Sequence, residues 1–413
     1  MRALWGFDAR SVVTEVDSIV PTGPMSQSRG TGILSFMQVV YHTLEWHEYC
    51  TDWRAGIMSM NGQSQVPEGP VSRKRILFIE LGEGISGLMM ALPSIQALGL
   101  SNPQAELDVL TLSQCAPLLD GDSSIARIHT VAGEEELSDS SGCPVKRDVA
   151  EVLKSGAYDV VVSDSKHVEI RQLVENCGAS VAVSDLLWSA PADKLVEEQA
   201  LAMLAQRQLI DPHYINLVGR ISLNEEEQKW ARCWRGNNLV SRYSTVILNC
   251  SAKKPAHRWA PENFICVGQW LASQRHYNVV VFAEDDVALA AMISHEIGKE
   301  ATILASVGIR QFAAVASLSS LVISADTDSA RVAAASGARV IALFGPTSDA
   351  RYGLRPPNVN ICGPRTCTGC NPTGLSDLAC RESGQCVLER ESSCVNNVAP
   401  QLVIRAAERL LHW

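Results

Sequence analysis

The chain has 413 residues, 46% apolar and 19% charged, a globular balance that excludes a wholly disordered protein. That length suffices for two ordinary domains with extensions. A net charge of −10 argues against a nucleic-acid surface spread over the molecule, while leaving room for a local cationic pocket.

No run approaches the roughly 20 apolar residues that cross a bilayer. Near the N-terminus, Asp8, Arg10, Glu15 and Asp17 interrupt the apolar runs, so the segment does not read as a signal peptide. The expectation is a cytoplasmic protein with reduced thiols. Residues 1–72 mix Gly, Ser, Pro and Met with isolated tryptophans and have no strand–helix rhythm, so they read as an extension. Within it, GILSFMQVVYHTLEWHEYC (32–50) has the spacing of an amphipathic helix. Packing on the following domain is the first reading, and an oligomer or partner surface the second.

The rhythm begins at Arg75. ILFIE (76–80) is a buried strand, LGEGISG (81–87) a glycine-rich turn and LMMALPSIQALG (88–99) a helix. ELDVLTL (106–112) predicts a strand, SQCAPLLDG (113–121) a helix, RIHTV (127–131) and YDVVVSD (158–164) strands. A helix from about His167 and the strand SVAVSD (180–185) follow. The more charged helical stretches 197–210 and 223–234 read as a connection.

The alternation resumes with STVILN (244–249), a helix near Pro261, NVVVFA (278–283) and a helix through 286–298. Next come ATILA (301–305), FAAVASLSS (312–320), LVISAD (321–326), SARVAAASG (329–337), ARVIALFG (338–345) and a final helix 398–411. Continuous apolar strands alternating with helices predict parallel sheets covered on both faces, in two consecutive doubly wound halves. The expected boundaries are 1–72 for the extension, 73–190 for the first domain, 191–243 for the connection, 244–395 for the second domain and 396–413 for the last helix. Ligands of such folds bind beyond the C-terminal ends of the strands.

Four segments lie at such ends. The turn LGEGISG places Gly82, Gly84 and Gly87 where backbone can approach a ligand, although a structural glycine turn explains them equally well. In SAKKPAHRWAPENF, Lys253, Lys254, His257 and Arg258 cluster between a strand and a helix start, where a departing diphosphate would meet cations and helix N–H groups. In ISADTDSARVAAASG, Asp326, Thr327, Asp328 and Ser329 open a helix. They suit N-capping, and the same N-terminus suits a phosphate, although Asp328 would oppose it. VIALFGPTSDARYG runs a buried strand into a rigid turn at Gly345 and Thr347. The G-x-G-x-x-G spacing from Gly82 also raises a dinucleotide oxidoreductase. That reading ranks low, because the second strand ends in Thr111, Ser113 and Gln114 with no acid for a ribose.

In this order the four segments resemble glycosyltransferase family 9, the bacterial heptosyltransferases. The matching stretches are ILFIELGEGISGLMMALPSIQAL, SAKKPAHRWAPENF, SADTDSARVAAASGARVIALFGPT and CTGC…CVNNVAP, from about Arg75 onward. The resemblance implies a GT-B fold, two Rossmann-like domains facing a cleft. It implies metal-independent, inverting transfer from a nucleotide sugar, typically ADP-heptose, to a lipid-linked glycan or a protein. The donor would lie on Lys254, His257, Arg258, Asp326, Thr327, Asp328, Ser329, Arg331, Gly345 and Thr347. Gly82, Gly84, Ser86 and Gly87 would form the acceptor loop, with Glu83 as the carboxylate nearest the family's base position. Gly87 stands at that position itself, His257 at the family's lysine and Arg331 at its histidine. A binding or scaffold protein on the same frame is the competing expectation. Family members that use lipid acceptors work at the inner membrane face, which extends the expectation to peripheral attachment there.

Of 13 cysteines, Cys362, Cys367, Cys370, Cys380, Cys386 and Cys394 crowd into 362–394. In a reducing compartment this suggests a metal before disulfides. The C-x-x-C at Cys367 and Cys370, with Cys380 and Cys386, offers four thiolates for a structural Zn or Fe. The autotransporter heptosyltransferase branch is similar in pairing an N-terminal extension with an iron-holding cysteine finger. The 1–72 extension is likewise a candidate for self-assembly. No nucleic-acid partner is expected.

Overall fold

The structure is a computed structural model. It describes residues 73–82, 84–132, 144–165, 167–186, 194–274, 276–284, 286–363 and 394–411. Residues 1–71 and 72–413 separate into two units, and the description below concerns the second.

The first sheet is wholly parallel, in the order β3-β2-β1-β4-β5. Its strands are β1 Arg75–Ile79, β2 Glu106–Leu112, β3 Arg127–Val131, β4 Val160–Ser163 and β5 Val181–Val183. The long helix α1, Gly84–Ser101, follows β1 directly. By length and composition α1 is apolar enough to cross a membrane, yet 72% of it is buried in this fold, as suits a central core helix. Helix α2, Pro144–Gly156, has no counterpart among the sequence expectations. Its composition is polar, and the only core signal is Val145, Val149 and Leu153, four apart and all buried. Segment 113–121 is not the full helix expected. It holds a short 3₁₀ turn, Ala116–Leu119, with proline in its first turn. Helix α3, Val168–Glu175, starts where expected.

The connection contains α4, Val196–Gln206, and α5, Glu225–Asn238. Asn224 and Glu227 close a reciprocal capping box at the start of α5, satisfying two otherwise orphaned N–H groups. The second sheet is also parallel, in the order β11-β10-β9-β6-β7-β8. Its strands are β6 Ser244–Asn249, β7 Tyr277–Phe282, β8 Ala301–Leu304, β9 Leu321–Ala325, β10 Val340–Phe344 and β11 Val359–Cys362. Its helices are α6 Pro261–Ser273, α7 Val287–Ile297, α8 Ile309–Ala316, α9 Asp328–Ala335, α10 Asp349–Tyr352 and α11 Pro400–Leu411. Two parallel α/β domains in this arrangement form the GT-B fold.

The two domains share one apolar core that runs from the first sheet to α8 and α9. Polar ties reinforce it. Arg310 of α8 reaches Pro117 O at 2.7 Å and Ser222 O at 2.7 Å, and also pairs with Glu227. Arg355 donates to Leu217 O at 2.8 Å, and Ile221 N to Ala335 O at 3.0 Å. Each sheet reverses its winding at one place, between β1 and β4 in the first and between β6 and β9 in the second. The loops leaving those strands are therefore the expected ligand loops.

Candidate active-site cleft

A cleft of about 1070 Å³ opens at the C-terminal ends of both sheets. One wall is the loop after β1, with Gly82, Gly84, Ile85 and Ser86. The facing wall comes from the loops after β6, β7 and β9 and from Thr347 and Tyr352. Among the sequence-derived residues, Lys254, His257, Arg258, Asp326, Thr327, Asp328, Arg331 and Thr347 line it together with Gly82, Gly84 and Ser86. Three do not. Ser329 is buried in α9, Gly345 packs against Val395, and Gly87 packs over Glu80. Glu83 and the cysteines Cys367, Cys370, Cys380 and Cys386 lie outside the described residues.

The cationic wall is built by local geometry. Ala252, Lys253 and Lys254 lead into a 3₁₀ turn, Pro255–His257, and Pro261 opens α6. Buried Trp259 fixes this loop from below. Its Nε1 donates to Val398 O at 3.0 Å, and its ring meets Phe264 edge-on at 4.8 Å. Ala260 N donates to Asn396 Oδ1 at 2.7 Å. The C-terminal segment thus holds the basic loop while Lys254 and Arg258 stay exposed at the cleft. Arg258 Nε donates to Ala252 O at 2.9 Å, orienting the guanidinium. His257 Nδ1 lies 3.3 Å from Asp326 O.

The floor is a polar network at the ends of β6 and β9. Asn249 Nδ2 donates to Ser324 Oγ at 2.9 Å and to Thr327 Oγ1 at 3.2 Å. Thr327 caps α9 by accepting from Ala330 N at 3.2 Å. Asp326 accepts from Arg331 Nη2 at 3.1 Å and from Thr347 Oγ1 at 2.7 Å. Arg331, 5% exposed, also donates to Tyr352 O at 2.6 Å. Its guanidinium ties the α9 and α10 sides of the cleft together while Arg331 still lines the cleft.

Two groups escaped the sequence reading. Glu284 follows β7, lines the cleft, and has its N–H held by Ser251 Oγ at 2.9 Å. The signal was present in NVVVFAED, an acid just beyond a strand end, the place where such folds hold ribose hydroxyls. The second is a buried pair of acids, Glu80 after β1 and Asp164 after β4, both 0% exposed. Glu80 accepts from Gly82 N at 3.0 Å and from Thr111 Oγ1 at 2.8 Å. Asp164 Oδ1 accepts from Leu81 N at 3.3 Å. A Cβ on Gly87 would come within 2.8 Å of Glu80 Oε1. Gly87 is therefore required by the packing of α1 over Glu80 and Gly82. Gly84, with φ of 61°, is required by the turn into α1.

Burial, and then the Glu80 charge, push the Asp164 carboxyl well above the usual carboxylate range. Asp164 then holds a proton more tightly folded than unfolded, so its contribution to stability falls as pH rises above that range. Asp164→Asn keeps an acceptor for Leu81 N and carries no charge. The expected result is a higher melting temperature than wild type at pH 7 and a smaller decline between pH 5 and 7, measured by pH-dependent thermal melts. Equal slopes in the two proteins would refute the assignment. Glu197, pushed up to about 7 by burial with Arg331 and Arg355 opposing, leaves a residual slope of the same sign in both.

With this geometry in place, residues 226–374 match the sequence model described as Glycosyltransferase family 9 (heptosyltransferase). This part of the second domain is similar to family 9. The match spans the basic loop, Glu284 and the Asp326–Thr347 network, which form the second-domain wall of the cleft. Among curated proteins, none matches the chain by sequence. Similar solved structures include the glycosyl transferase family 9 from Veillonella parvula DSM 2008, with TM-score 0.67 and 17% identity over 82% of this chain and 97% of that one. E. coli ADP-heptose lps heptosyltransferase II has TM-score 0.58 and 19% identity over 82% and 98%. E. coli heptosyltransferase WaaC with ADP has TM-score 0.55 and 13% identity over 81% and 99%. At these identities the structures establish the fold alone, and the likeness spans both domains.

Proposed function

We propose that this protein is a glycosyltransferase that moves a sugar, with heptose from ADP-heptose as the first candidate, onto a glycan, lipid-linked or protein acceptor with inversion. The observation that carries this reading is the facing of two unlike walls. A cationic wall with two helix N-termini stands in a domain similar to family 9, opposite a glycine loop with no cation among its described residues. In this reading Lys254, His257, Arg258 and the N-termini of α6 and α9 receive the diphosphate. Glu284 takes the ribose hydroxyls, and the acceptor enters beside Gly82, Gly84 and Ser86. Glu83 removes the acceptor hydroxyl proton as its oxygen attacks the anomeric carbon from the face opposite the diphosphate. The bond from that carbon to the diphosphate breaks, and the charge that develops meets the cationic wall.

The test is calorimetric titration with ADP, UDP, GDP and ADP-heptose, with melts as a second readout of ligand-linked stability. ADP species are expected to bind selectively, and Arg258→Ala to weaken ADP by about 10- to 100-fold, the scale of a lost charge-assisted contact. No nucleotide binding at all would sink the donor reading. A scaffold that keeps the cleft without the chemistry would then lead, a reading favoured by Arg331 being committed to Asp326. Glu83→Gln separates the two: a transferase loses turnover while keeping ADP affinity.

A further inference from the structure

Asp328 is the first residue of α9 and lies in the cleft on the donor wall. Its carboxylate engages both walls at once. Ser86 of the first domain donates its hydroxyl to Asp328 Oδ1, and Lys253 of the basic loop places Nζ 3.3 Å from Oδ2. Ser86 and Lys253 also line the cleft. The acid thus sits where an incoming anion would be drawn. It holds the positive end of α9, it neutralises a loop cation, and it is steadied by a hydroxyl from the opposite wall.

We infer that Asp328 is a built-in competitor for the anion position of this cleft, held in place across the domain interface by Ser86. The inference rests on the proposed donor reading and adds to it a residue that sets donor affinity. A diphosphate reaching the α9 N-terminus must take Lys253 from Asp328 and move a carboxylate that would otherwise repel it. Donor affinity is therefore held below what the same wall would give without the acid. Displacing Asp328 also releases the Ser86 hydroxyl beside the acceptor loop, which links donor entry to the acceptor wall. A purely structural role for Asp328, favourable to the α9 dipole and nothing more, makes the opposite prediction: its removal weakens the helix and gains no anion affinity.

The experiment uses the full chain and two probes, ADP and inorganic pyrophosphate, titrated by calorimetry into wild type, Asp328→Asn, Ser86→Ala and Asp286→Asn. Asparagine preserves the side-chain shape at the helix start, and circular dichroism checks that each variant is folded. Asp286 caps α7 in the same cleft, so it controls for removal of any negative charge. Asp328→Asn is expected to bind pyrophosphate and ADP at least about tenfold tighter than wild type. Ser86→Ala is expected to tighten both by about threefold, the scale of one lost hydrogen bond. Asp286→Asn should gain less than either. Asp328→Asn binding no tighter than wild type, or no tighter than Asp286→Asn, overturns the inference. An unchanged Ser86→Ala overturns the hold across the interface. If pyrophosphate tightens as expected while no variant binds ADP, the nucleotide donor reading falls and the competitor stands. If neither probe binds any variant, both fall.

Discussion

Asp326→Ala is expected to destabilise the protein by about 3–5 kcal/mol, the range for removing one partner of a buried ion pair. Arg331 is 5% exposed, and its Nη2 pairs with Asp326 Oδ1 at 3.1 Å. Removing Asp326 takes the ion-paired carboxylate from that buried guanidinium and also the acceptor from Thr347 Oγ1, which lies 2.7 Å away. Chemical denaturation of the two proteins measures the difference. The companion variant is Asp326→Ala with Arg331→Met, which removes the buried charge as well and fills its volume. It is expected to recover a large part of the lost stability, since an apolar replacement of a whole buried pair is often close to neutral. No recovery would show that the loss comes from the Thr347 and β9 side of the network. ADP binding should stay weak in the double variant either way, because Asp326 also carries the turn in which Thr327 caps α9.

Trp259→Ala is expected to lower stability by about 3–5 kcal/mol as well, the usual range for emptying a buried aromatic site. Two terms add. The indole volume next to Phe264 is lost, and Val398 O loses its donor. The functional consequence distinguishes this residue from an ordinary core position. Trp259 follows Arg258 directly and binds the C-terminal segment under the basic loop, so its loss frees the loop that presents Lys254 and Arg258. ADP affinity is expected to fall together with stability, whereas Phe264→Leu should lower stability with a much smaller effect on ADP. Equal ADP affinity in wild type and a still-folded Trp259→Ala would show that the loop keeps its shape without the anchor.

The acid beneath the glycine loop and the acid at α9 are complementary features of one cleft. Glu80 and Asp164 hold the backbone of Leu81 and Gly82 from inside the first domain. Asp328 meets Ser86 from the second. The loop between them is therefore gripped from below and from across, and both grips use carboxylates whose charge is matched or suppressed by what surrounds them.

Much of this was legible in the residues alone. Continuous apolar runs such as ILFIE, STVILN and LVISAD could only be strands buried on both faces, and their alternation with helices implied parallel sheets and a cleft at their C-terminal ends. The basic loop, the Asp326–Thr327 turn and Thr347 were found because each combines a strand end with residues suited to anions or caps, a signal local to a few positions. Helix α2 was missed because a polar helix shows only a thin apolar stripe, and segment 113–121 was read as a full helix because proline's effect on a short turn is weak evidence in a row of letters. What local sequence could not carry is every relation between residues far apart in the chain. Nothing in the sequence singles out Glu80 and Asp164, which the pairing of β1 with β4 brings together in the core. Arg331 reads as a phosphate ligand in the sequence, and only the fold shows that it also pairs with Asp326 at the cleft. Ser86 and Asp328 are 242 positions apart, and only the packing of one domain against the other turns two separately noted side chains into a contact. Strand and helix preferences are set by neighbours in sequence, whereas burial, ion pairing and charge competition are set by neighbours in space.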